Sequence, residues 1–435
     1  MKYDITKGTF PMLPNLGRGT EIIKILLSQA SKDMHDPLVP MFFPILGSHI
    51  SGVKFQYPDL SWKEPTGMMA HLIADSGGNK GQLTQLVEAL CRDFRQHDSV
   101  ELTKLVEWQK QIKTKGANKE KPQRPDVAFW FPPSDVTNPA FLLNAMSCEN
   151  LGGHSQYLNL TEVEMADRLC GSHKQVSQMM RNIYDRQRAG ALRATADGIT
   201  GNPILRANLT ISSTPFAARN FYKYEVFNGT LGRIVFSYKP CAGRDGRIPR
   251  QGRYTDDFYR KVDEYLARLE NIKGRFIINP LNKLTDNLSE DMALLAEQFD
   301  DDDLFKISHR CLVSAWKAGC ILWLLNGQTW TRAMGEMVEW LVYRDLWSKV
   351  QVFGDMIFKG ADFTSEAQRR GPKNMLEDLP NSFNEKQLEA LRVSLGKSPE
   401  GTDAQLRKWE FRKFITYCPQ TGLYTKTDEY LKGNS

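Results

Sequence analysis

Residues 66–90 read Thr-Gly-Met-Met-Ala-His-Leu-Ile-Ala-Asp-Ser-Gly-Gly-Asn-Lys-Gly-Gln-Leu-Thr-Gln-Leu-Val-Glu-Ala-Leu. An apolar strand runs to Ala74, a glycine-rich turn carries Lys80, and a run with helical apolar spacing follows from Gln82. Strand, glycine turn, helix is how a chain builds a cradle for phosphate. Backbone N–H groups of the turn and the helix N-terminus favour an anion, and a lysine adds a mobile charge. The plain alternative is a β-turn-α junction with a surface lysine.

Set against the phosphate-loop pattern G-x-x-x-x-G-K-[ST], alignment on Lys80 gives Ala74, Asp75, Ser76, Gly77, Gly78, Asn79, Lys80 and Gly81, with Gln82 next. Residues 75–82 are therefore the expected nucleotide-binding stretch. Ala74 replaces a glycine at little cost. Asn79 replaces the second glycine, and Asn tolerates positive φ better than most residues. Gly81 stands where a Ser or Thr hydroxyl would reach Mg²⁺. A nucleotide kinase also fits Lys80-Gly81, but no acceptor-site motif accompanies it.

A nucleotide-hydrolysing site needs a carboxylate at the end of a nearby strand. The stretch 156–164 supplies one, roughly 80 residues after the loop: an apolar strand, then Thr161, Glu162 and Glu164. Glu162 is the expected catalytic acid and, with Glu164, the expected Mg²⁺ neighbour. Two glutamates capping the following helix are the alternative. The strand 205–212 ends in Ser212, Ser213 and Thr214, which can sense a γ-phosphate. Arg233 follows a glycine-rich turn, where an arginine can reach a neighbouring subunit's nucleotide. Arg219 is the other candidate, and a surface ion pair the alternative for either.

Organisation along the chain surrounds this motif. The chain has 435 residues, 41% apolar and 25% charged, with a net charge of +6 and seven cysteines. Residues 1–45 carry five prolines and read as a leading segment or linker. Over 46–254 strands and helices alternate, the pattern of an α/β sheet with crossover helices. Strands are expected at 67–74, 127–131, 156–160, 205–212 and 233–238, with helices at 82–94, 100–114, 139–148, 163–169 and 175–187. Residues 255–360 turn helical, at 256–269, 291–299, 304–325 and 331–358. A linker is expected at 361–380. The remaining 381–435 read as helix (384–395), turn (396–402), basic helix (403–415) and hairpin around Thr421-Gly422. That is the order of a winged helix-turn-helix, whose second helix enters the major groove. Small domains of this kind also bind proteins.

No apolar run of about 18 residues appears, so no membrane span is expected. The first residues lack the apolar core of a secretory signal. Scattered cysteines without C-x-x-C spacing point to a reducing cytoplasm rather than a zinc site or disulfide framework.

The series 73–81, 125–131, 157–164, 212–215 and 229–238 resembles a family of helicase-like P-loop NTPases of bacterial mobile elements, described only as a domain of unknown function and often found beside or fused to primase modules. The resemblance spans about 44–360. It implies a RecA/AAA-like P-loop NTPase core, an ATPase, followed by a helical region. With the site as read above, ATP and Mg²⁺ are the expected ligands and a homo-oligomeric ring the expected assembly. The resemblance makes Lys80 the phosphate-loop lysine, Glu162 the acidic residue of the second motif and Arg233 the arginine of the last core motif. Members commonly show Gly-Lys-Ser or Gly-Lys-Gly at the loop, and Asn79 departs from both.

Two features point to DNA as a partner, with a primase or replication initiator beside it. Arg244, Arg247, Arg250 and Arg253 recur every three residues in a glycine-rich stretch, followed by Tyr254 for stacking. Arg407, Lys408, Arg412 and Lys413 lie on the expected second helix of the C-terminal unit. A solvated loop accounts for the first set equally well. A DNA-binding or scaffold protein with a degenerate, non-hydrolysing loop is the alternative for the whole chain.

Overall fold

A computed structural model of the chain describes residues 3–114, 122–170, 176–190, 200–223, 229–240, 250–299, 301–357, 375–395 and 398–433. Its strands are β1 (Val53–Gln56), β2 (Trp62–Lys63), β3 (Met69–Ala74), β4 (Gln156–Leu160), β5 (Ala207–Ser213), β6 (Ile234–Lys239), β7 (Gly274–Phe276), β8 (Ser382–Phe383), β9 (Ile415–Cys418) and β10 (Leu423–Lys426). The fold is mixed α/β, built on a four-stranded sheet in the order β4-β5-β3-β6. All three pairings in it are parallel. Every residue of β3, β4 and β5 is buried. Such continuous burial is what a parallel sheet covered on both faces requires, and it takes in polar side chains as well, among them His71, Asn159, Asn208 and Thr210.

β3 is central. Its partners are β5 on one side, with Ile73 opposite Ser213, and β6 on the other, with Ala74 opposite Lys239. The connections thus change sides at β3, and the crevice beyond the carboxyl ends of such strands is where α/β sheets take ligands.

The expected fifth strand at 127–131 does not join the sheet. Its backbone donors are taken by side chains: Ala128 N–H by Glu101, Phe129 by Asn144, and Trp130 and Phe131 by the two oxygens of Asp98. One ladder-like bond remains, Tyr157 N–H to Trp130 O at 2.7 Å.

The 1–45 stretch is no linker. The helix His35–Ser48 is buried from Pro37 onward, with Pro40 and Pro44 inside it. It lies against β3, β5 and β6. Further upstream, Trp347 and Trp340 donate their indole N–H groups to Lys7 O and Pro11 O. The helical region is likewise not separate: helices Asp256–Glu270, Asn279–Phe299, Asp302–Leu325 and Arg332–Ile357 share one apolar core with the sheet, running from Tyr3 to Ile357. The helix expected at 291–299 begins a full three turns earlier, at Asn279.

A small sheet, β2-β1-β7, stands apart from the main one. The C-terminal residues form a second core, Met375 to Tyr430, so the end of the expected 361–380 linker is packed. Helices Glu385–Ser394 and Thr402–Phe411 precede the β9–β10 hairpin, to which β8 adds. Asn384 opens the first helix through a capping box with Gln387. No helix among the described residues is long and apolar enough to cross a membrane.

Candidate functional site

Beyond Ala74 the chain turns through residues 75–80 into the helix Gly81–Leu90. Two turn residues are left-handed, Gly77 at φ +78° and Asn79 at φ +63°. At Gly78 an added Cβ would stand 2.9 Å from both Ala74 Cβ and Asp75 O, so only glycine fits. Gly81 is different: nothing lies within 4 Å of a Cβ there. Gly78 N–H donates to Asp75 O at 2.9 Å. Among the described residues, the backbone N–H groups of Ser76, Gly77, Asn79, Lys80 and Gly81 meet no protein acceptor. A run of open donors at a helix N-terminus is an anion-holding arrangement.

Lys80 folds back over this turn. Its Nζ donates to Ala74 O at 2.8 Å and Asp75 O at 2.9 Å. Burial draws its ammonium below the ordinary lysine value, Glu162 and Asp75 oppose that, and Lys239 adds to it. Glu162 therefore acts electrostatically on Lys80 from the end of β4. Glu162 and Glu164 are exposed, and their carbonyls accept the first helical N–H groups, Met165 and Asp167. Among the described residues neither joins a group of three or more metal-ligating side chains. The convergent group among the described residues is His49, Asp93 and Glu270, at the far end of the Gly81–Leu90 helix, where His49 Nε2 faces Leu90 O.

Lys239 and Asp33, which belong to no motif in the sequence, also border the loop. Lys239, last residue of β6, lies 2.5 Å from Asp33 Oδ2 and 3.2 Å from Gly78 O. Burial pushes the Asp33 carboxyl up, but hydrogen bonds from Lys239 and Ser31 hold it below the usual carboxylate range. The signal for Lys239 was present, an apolar strand ending in a lysine. Nothing in the spacing marks Asp33.

Several expected site residues serve the fold instead. The buried Gln82 amide is used up by Ser31, donating to its Oγ at 2.7 Å and accepting from its N–H at 3.0 Å. Ser213 Oγ bonds His71 Nε2 at 2.8 Å within the sheet. Thr214 caps the helix Pro215–Tyr222 by accepting from Ala217 N–H. Ser212 remains at the carboxyl end of β5, buried opposite Leu72. Arg233 binds Asp185 Oδ2 at 2.9 and 3.1 Å and Gly229 O at 2.9 Å. It precedes Ile234, which pairs with Met69, so within its own chain it sits a strand's length from the loop, roughly 17 Å. Arg219 makes a bidentate pair with Asp355.

The basic residues divide likewise. Arg244 and Arg247 lie outside the described residues. Arg250 and Arg253 are exposed. Tyr254 is half-buried against Phe258, 4.4 Å between ring centres, and burial pushes its hydroxyl up to about 12, so it is not held out for stacking. On the C-terminal helix Lys408 is only 3% exposed, over Phe299 and 4.0 Å from Asp301. Arg412 donates to Asp301 at 3.2 Å, and Arg407 pairs with Asp403 and Asp4. Only Lys413 of that set is open to solvent without a salt bridge. The basic side chains expected to meet DNA from this helix are thus largely turned onto the rest of the molecule.

Two cavities of about 590 and 560 Å³ lie elsewhere, one between the N-terminal residues and Arg407, the other an apolar groove by Leu102 and Phe129. Neither is lined by the loop. No protein-family model and no curated protein matches this sequence.

Proposed function

We propose that the 75–81 loop binds the phosphates of ATP and that the chain is a cytoplasmic, helicase-like ATPase. It acts on DNA in mobile-element replication or mobilisation, as a homo-oligomer beside a primase or replication initiator. The observation that carries the nucleotide reading is the open run of backbone donors around Lys80, at the carboxyl end of the central parallel strand, with Glu162 acting on that lysine. In a RecA/AAA-like core the helix N-terminus and Lys80 neutralise phosphate charge, and Mg²⁺ bound with the nucleotide would supply further neutralisation of its β and γ phosphates. Glu162 orients the attacking water, and rate comes from positioning and electrostatics.

A second reading, a DNA-binding or scaffold protein that holds nucleotide without turnover, is favoured by specific features. Gly81 offers no hydroxyl to a metal, and Arg233 is tied to Asp185. Titration with ATP and a phosphate-release assay on the wild type, Lys80→Ala and Glu162→Gln separate the two. The ATPase reading expects Lys80→Ala to lose binding by about a hundredfold or more, and Glu162→Gln to bind normally but hydrolyse at least a hundredfold more slowly. Tight binding with no wild-type turnover leaves the scaffold reading. A wild type that binds no nucleotide removes both.

A further inference from the structure

We propose that Lys239 is a second phosphate-binding cation of this loop, restrained by Asp33 until a nucleoside triphosphate takes its place. The inference rests on the nucleotide reading of the 75–81 loop and extends it to how the site distinguishes three phosphates from two.

Lys239 ends β6 directly beside Ala74, where the loop begins. Its residue is 9% exposed, so its charge needs partners. Those partners are Asp33 Oδ2 and the loop carbonyl of Gly78. Lys80 is held by two further carbonyls of the same turn. Two ammonium groups thus share one small loop, and each disfavours the other's charge. An anion placed between them relieves that repulsion, and hydrogen bonds to a charged phosphate are stronger than those to neutral carbonyls.

Asp33 is the competitor. It sits on the Lys32–Met34 turn that leads into the buried helix His35–Ser48, while the neighbouring Ser31 is tied to Gln82 on the loop's own helix. Residues 31–33 therefore form one wall of the site. When Lys239 exchanges Asp33 for a phosphate, that wall loses its ion pair. Lys80 and the helix N-terminus already serve a diphosphate. The extra charge of a triphosphate is what a second ammonium selects.

Fluorescent ATP and ADP analogues titrated into the full chain, in Mg²⁺ buffer, test this on the wild type, Lys80→Ala, Lys239→Gln and Asp33→Asn, with thermal unfolding as the check on folding. Lys239→Gln keeps a donor for Gly78 O and removes the charge. It is expected to weaken the ATP analogue about tenfold or more and the ADP analogue less than about threefold. Asp33→Asn removes the competitor and is expected to tighten the ATP analogue severalfold. Should Lys239→Gln not fold, the Asp33→Asn arm decides alone. If Lys80→Ala abolishes binding while Lys239→Gln and Asp33→Asn match the wild type for both analogues, the role of Lys239 is wrong and the nucleotide reading stands. If the wild type binds neither analogue, the nucleotide reading itself fails and this inference with it.

Discussion

Asn79 holds φ +63° immediately before the lysine that anchors the loop. A left-handed non-glycine residue costs roughly 1–2 kcal/mol, least for Asn. Asn79→Gly is therefore expected to leave stability unchanged or raise it, and Asn79→Val to lower it by about 1–2 kcal/mol, both read by urea unfolding. His71 makes a second prediction. Its ring is wholly buried between Ser213 of the sheet and Tyr222 of the helix Pro215–Tyr222, and burial pushes it from 6.5 to about 3. The unfolded ring protonates near 6.5, so its contribution to stability is complete above that pH and declines as pH falls toward 3. The urea midpoint should drop between pH 7 and pH 5, and His71→Gln should drop less. His154, pushed by burial to about 4, acts in the same direction and leaves a remainder. At this scale charge-bearing candidates proved hardest to place. Arg233, Arg219 and Arg412 each found an aspartate in the folded chain.

At the scale of elements, β6 is an edge strand, and the helix Arg332–Ile357 closes its edge with side chains. Asp345 accepts the Phe236 N–H at 2.7 Å, Ser348 accepts the Tyr238 N–H at 3.1 Å, and Arg344 donates to Tyr238 O at 2.7 Å. An open edge invites pairing with another chain, and here it is covered. Asp345 also bears the fully buried Lys349, at 2.8 Å. Asp345→Ala leaves that lysine uncompensated and the Phe236 donor unpaired. It is expected to cost about 3–5 kcal/mol, whereas Ser348→Ala costs nearer 1. Chemical denaturation of the two variants checks the ranking. Because β6 also carries Lys239, loosening this helix should reach the loop.

The molecule as a whole joins its two apolar cores through charge. Asp301 caps the helix Asp302–Leu325 and at the same time meets Arg412 and Lys408 of the C-terminal unit, while Asp4 meets Arg407. Basic surface for a polyanion therefore lies largely elsewhere, and Arg250 and Arg253 are exposed members of it. If DNA is the partner, the double substitution Arg250→Ala with Arg253→Ala should weaken duplex binding uniformly across sequences. It should also reduce the slope of log affinity against log salt by about 2. An unchanged slope in a filter-binding or anisotropy series would count these arginines out of the interface.

Residues 66–90 alone determined strand, turn and helix, down to the tolerance of Asn for the left-handed bend at position 79, because dihedral preference and apolar spacing are local properties. The strand expected at 205–212 and the helix expected from 384 were legible for the same reason. Which side chains face the loop was decided only by tertiary structure. Asp33 and Lys239 are distant in sequence and meet because the helix His35–Ser48, into which the turn of Asp33 leads, packs on β6. The prolines at 40 and 44 disguised a core helix, and the apolar segment 127–131 lost its ladder to carboxylates and an amide on neighbouring helices. Such partnerships depend on where remote groups end up, and linear spacing carries no record of that.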